Sequence, residues 1–72
     1  MVDEFVRYKI LKIPGAILTQ DEVYKKYIEY CHEQKEQPES KIWFGRKMNI
    51  FGYSSKQISK NERIYSGFVV IE

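Results

Sequence analysis

Lys41, Arg46, Lys47, Lys56, Lys60 and Arg63 are six cations set against one acid, Glu62, within residues 40–71. Charges of one sign spread over neighbouring segments suit the neutralisation of phosphates, because each Lys or Arg that meets a phosphate releases a condensed counterion. Arg46 and Asn49 add the side-chain types that read base edges through paired hydrogen bonds, Arg at guanine and Asn at adenine. Residues 19–39 are the reverse, with Asp21, Glu22, Glu29, Glu33, Glu36 and Glu39 against Lys25, Lys26 and Lys35. The formal charge of +2 therefore hides a polarised chain whose basic end is the C-terminal one.

The other residue types able to do chemistry form no constellation. Cys31 and His32 are neighbours, and adjacent positions on a helix diverge by about 100°. They are also the only cysteine and the only histidine in the chain, so no set completes a metal site. A lone Cys on an apolar stripe is expected as a buried reduced thiol. No Ser, Cys or carboxylate stands at a spacing that would force a catalytic dyad with His32, and no glycine-rich phosphate loop is present. The chain by itself is expected to be no enzyme and to carry neither cofactor nor metal.

Seventy-two residues make one expected domain, 1–72, and such a chain buries only about 60% of its unfolded surface. Aromatic residues make up 15% of it, which compensates with large side chains. Mean hydropathy is -0.52, and no apolar run approaches the roughly 18 residues of a membrane span. The first residues are acidic, and Arg7, Lys9 and Lys12 interrupt the apolar positions. That pattern is no signal peptide, and a cytoplasmic location is expected.

Local signals set the elements that must carry these residues. Val2, Val6, Ile10 and Ile13 draw one helical stripe with Phe5 at its flank, and Asp3 and Glu4 suit a first turn. Val6, Tyr8 and Ile10 also alternate as a strand would, but the helix is the favoured reading. Pro14 and Gly15 are expected to end this element, leaving Ala16, Ile17 and Leu18 as a short strand or bridge. Thr19 and Glu22 then form a capping box for a helix running to about Glu33, with Val23, Tyr24, Tyr27, Ile28 and Cys31 on its inner face. After a polar turn containing Pro38, Ser40 can cap a helix over 41–51 and Gly52 can end it. Phe44, Met48 and Phe51 are expected inward, which sets Ile42, Arg46 and Asn49 outward. Gly45 inside that helix suggests close approach of another element. Residues 53–58 and 63–71 read as a hairpin around Ser59, Lys60, Asn61 and Glu62, with a bulge near Gly67. The resulting order is that of an α+β winged helix-turn-helix: three helices, a short first strand and a C-terminal β-hairpin wing.

Four segments, VYKKYIEYC, PESKIWFGRKM, FGY and RIYSGFVVIE, carry a likeness in their order and spacing. Over about residues 17–71 the chain resembles the C-terminal winged-helix domain of poxvirus-, phage- and plasmid-type primase-helicases. Their parents join a primase to a superfamily 3 helicase. The resemblance implies a DNA-binding appendage of a replication enzyme, acting in the host cytoplasm or at a viral replication site, with a helicase ring or replication protein as neighbour.

The residues expected at DNA, duplex by preference, are therefore Lys41, Ile42, Arg46, Lys47, Asn49, Lys56, Lys60 and Arg63. Plainer roles compete at several of them: an exposed basic helix face is often only solvated, and edge strands carry cations to deter aggregation. Trp43 is expected to pack under a neighbouring element, and most tyrosines are expected to be scaffold. The alternative function is a protein-docking winged helix that binds a replication partner or sister subunit through its acidic helix, or a small phage transcription regulator.

Overall fold

The computed structural model describes residues 2–71; Met1 and Glu72, the ends of the expected 1–72 domain, lie outside the described residues. Its elements are α1 (Val2–Lys9), β1 (Ile10–Thr19), α2 (Gln20–Glu33), α3 (Lys41–Ile50), β2 (Lys56–Ser59) and β3 (Glu62–Val70). The strands form one antiparallel sheet in the order β1-β3-β2. Three helices with a C-terminal hairpin, whose second strand lies between the first strand and the hairpin's other arm, make an α+β winged helix-turn-helix.

The boundaries written by local hydrogen bonding fall where the residues place them. Thr19 Oγ1 accepts from the Glu22 N–H at 3.1 Å while Glu22 Oε1 accepts from the Thr19 N–H at 3.2 Å, so both arms of the capping box are made. Ser40 Oγ accepts from the Trp43 N–H at 3.3 Å and opens α3. At its other end the Tyr53 N–H donates to Met48 O at 2.8 Å and the Gly52 N–H to Asn49 O at 3.0 Å. This pair of bonds is the Schellman arrangement, and Gly52 sits at φ 95° as it requires.

The N-terminal expectation is corrected. The first helix ends at Lys9 rather than near Ile13, and the first strand is ten residues long rather than a short bridge. Ile10, Leu11 and Lys12 pair with Val70, Val69 and Phe68, and Ile17, Leu18 and Thr19 pair with Ser66, Tyr65 and Ile64. Partners distant in sequence thus draw the stripe out of its helix. Pro14 and Gly15 do not end the strand. They lie in the register shift between Lys12 and Ile17, where a missing N–H costs no ladder bond. Gly67 lies across from this excursion at φ 91°, the bulge expected there. Its register shift brings Tyr65 and Phe68, three residues apart, both into the core.

The core is aromatic. Phe44 stacks on Tyr27 at 4.6 Å between ring centroids, and Phe5 closes on both from 6.0 and 5.5 Å. Val2, Val23, Tyr30, Cys31 and Met48 are buried around them. The expected inward set is right for Phe44, Met48, Val23 and Tyr27 and wrong for Phe51, which is 44% exposed; Ile28 is half-buried. Phe51 falls where α3 has already ended, and it is Tyr53, beyond the turn at Gly52, that packs edge-on against Phe68 at 5.0 Å. Two tyrosines also clamp the turn before α3: Tyr24 Oη donates to Glu39 O, and Tyr27 Oη accepts from the Glu39 N–H, each at 2.8 Å.

Burial pushes the phenols of Tyr27 and Tyr65 and the thiol of Cys31 above their ordinary ionisation ranges. For Tyr65 the nearby Gln20 amide opposes the shift, though its hydroxyl makes no hydrogen bond of normal geometry among the described residues. A raised folded-state pKa means the folded protein holds its proton where the unfolded chain has lost it. The stabilisation is complete below the unfolded values, about 8.5 for Cys and 10 for Tyr, and is lost as pH rises through them. Each such group removes at most about 1.4 kcal/mol per pH unit. Melts followed by circular dichroism are expected to show a midpoint that falls progressively above about pH 9; an unchanged midpoint at pH 11 would mean these groups ionise freely in the folded state.

Candidate nucleic-acid interface

Positions 42, 45, 46 and 49 are spaced by three and four, so they form one stripe on α3. That stripe makes one wall of a shallow groove. Ser54, Ser55 and Arg63, from the wing and the segment leading into it, make the other. The groove exists because the Schellman turn sends the chain back beside α3, and because Arg63 ties that segment to β3. Arg63 Nε donates to Ser55 Oγ at 2.8 Å and Nη2 donates to Ser55 O at 3.1 Å. Three of its five N–H donors remain for a ligand.

Within the groove, Ser54 Oγ donates to Asn49 Oδ1 at 2.7 Å. The amide is thereby oriented, keeping both N–H donors and one acceptor site for a base edge. Arg46 is exposed, and its guanidinium lies 5.0 Å from the centroid of the Trp43 ring. A cation held over an indole keeps its in-plane donors available while its direction is restrained. Trp43 corrects the packing expectation: it is 52% exposed, and among the described residues no element covers that flank of α3.

The eight residues expected at DNA are thus brought together only in part. Ile42, Arg46, Asn49 and Arg63 share the groove. Lys56 and Lys60 are exposed on the wing, Lys60 in its tip, where Gln57 Nε2 donates to the Lys60 carbonyl at 3.3 Å. Lys41 faces a separate hollow and is ion-paired with Asp21. Lys47 is half-buried outside the groove and bridges Glu39 at 3.2 Å. Exposed pairs of this kind hold their partners weakly, so Lys41 can exchange Asp21 for a phosphate at little cost. Ser54, Ser55 and Trp43 are the participants that sequence reasoning missed. The two serines were expected inside the first hairpin strand, 53–58, but β2 begins only at Lys56, and nothing local says which helix the segment before it will lie against.

Gly45 forms part of the groove. The element it admits is the side chain of Gln20: a Cβ at Gly45 would stand 3.4 Å from Gln20 Nε2, the movable end of a flexible residue. Gly45→Ala is therefore expected to raise stability by about 0.5–1 kcal/mol through helix propensity. A lower melting temperature for the variant would mean that Gln20 is pinned in place.

Among the described residues no helix is long and apolar enough to cross a membrane, and no three His, Cys, Asp or Glu side chains gather to hold a metal. No protein-family model matches the chain, and a search of curated proteins finds no match.

Proposed function

We propose that this protein is a nucleic-acid-binding winged helix whose ligand is duplex DNA, with α3 as the groove-inserted helix and the β2–β3 wing on the backbone. It acts without catalysis of its own. In keeping with its resemblance, it is the C-terminal appendage of a viral, phage or plasmid replication primase-helicase, working in the host cytoplasm or at a viral replication site. The observation that carries the reading is the convergence of Arg46, Asn49 and Arg63 on one groove, with Lys56 and Lys60 exposed on the wing that supplies Arg63. Base-reading types lie on the helix and bare cations on the hairpin, the division of labour that separates specification from positioning.

Salt dependence tests it. Titration of the protein with labelled duplex and single strand at two salt concentrations is expected to give weak duplex binding that falls steeply with salt, as counterion release requires. Affinity rises in an oligomeric parent through effective concentration. Binding to no nucleic acid at the lower salt concentration would refute the proposal.

A docking role for a replication partner or sister subunit has its own support, since Ile50 is 79% and Phe51 44% exposed beside Val2 and Lys47, away from the groove. Amide shifts induced by such a partner and clustered there, or along the acidic face of α2, would favour it.

A further inference from the structure

Ile42 is 69% exposed, yet it lies inside the groove with Arg46, Asn49 and Arg63 rather than on the apolar flank around Ile50. A large aliphatic side chain set among cations matches a ligand that is anionic overall and apolar at one point. The major groove of duplex DNA offers one such group, the C5-methyl of thymine, between rows of phosphates. We propose that the groove reads A·T pairs in duplex DNA, Ile42 packing on a thymine methyl and Asn49 bonding an adenine edge. This rests on α3 being the groove-inserted helix.

The surroundings of both residues fit these parts. Ile42 follows Lys41 at the start of α3, the end whose residues reach base edges in helix-turn-helix docking, and Asn49 near the other end reaches them when α3 lies lengthwise in the groove, as a homeodomain's reading helix does. Asn49 Oδ1 is directed by Ser54 Oγ at 2.7 Å, so the amide meets adenine with acceptor and donors already sorted. Seven residues of helix span about 10 Å, which sets the two side chains over different base pairs. Arg63 supplies charge that draws the duplex in, and Arg46, on the same stripe as Ile42 and Asn49, is left to read a base edge beside the A·T pairs.

The test uses the full chain with three duplexes of one length: alternating A·T, the same with deoxyuridine for thymidine, and alternating G·C. Uracil removes only the methyl and leaves every phosphate and hydrogen-bonding edge. The thymine duplex is expected to bind about three- to fourfold more tightly than the uracil duplex, the factor that burying one methyl-sized group provides. Ile42→Ala, an exposed change to a good helix former, should bring the two to equality while preserving the salt slope. Equal affinity of the wild-type chain for thymine and uracil duplexes, with salt-dependent binding intact, overturns the A·T reading and leaves DNA binding standing. Absence of salt-dependent binding to all three duplexes overturns both. An Ile42→Ala variant that still separates thymine from uracil assigns the methyl to another side chain and overturns the role of Ile42.

Discussion

Phe44→Ala is expected to cost about 3–5 kcal/mol, the range for emptying an aromatic site in a core. Phe44 is fully buried and touches three rings, Tyr27 at 4.6 Å, Tyr24 at 5.4 Å and Phe5 at 6.0 Å. Those rings come from α1 and α2, so the void would open where all three helices meet. A domain of this size has a total stability on the order of 3–5 kcal/mol, and the variant should be largely unfolded at room temperature. Phe51→Ala is the control. It shares the helical stripe by spacing but is 44% exposed, and surface truncations of that kind cost about 0.5 kcal/mol or less. Urea denaturation followed by circular dichroism would separate the two, and equal losses would contradict the observed packing.

The second large effect is on binding. Arg46→Ala should lose about 1–3 kcal/mol on a preferred duplex and flatten the preference among sequences, because the proposed docking gives its in-plane donors to base edges. Lys60→Ala should weaken every sequence alike and lower the salt slope by roughly one, because a charge at the wing tip meets the sugar-phosphate backbone. Both residues are exposed, so folding should survive either change. If affinity and salt slope stay unchanged in both variants, the basic face is only solvated, and the docking reading around Ile50 and Phe51 takes its place.

What could be read without coordinates was whatever depends on neighbours in the chain. The Thr19 and Ser40 caps, the turn at Gly52, the hairpin around Lys60 and Asn61 and the inward face with Phe44 and Met48 are all settled within a few residues. Helical spacing likewise put Ile42, Arg46 and Asn49 on one outward face, and the groove contains all three.

Tertiary structure alone decided the rest. Ile10 leaves its helical stripe because Val70 offers a strand partner, and backbone pairing over that separation has no local signature. A helical wheel gives a direction around the axis but not what lies in that direction. Among the described residues Trp43 points where no element covers it, and Phe51 lies past the end of the helix that was to turn it inward. Net charge per segment is additive and needs no fold, whereas the use of each charge depends on distance. Lys41 finds Asp21, Lys47 finds Glu39, and Arg63 spends two donors on Ser55 to hold the groove wall that Arg46 and Asn49 face.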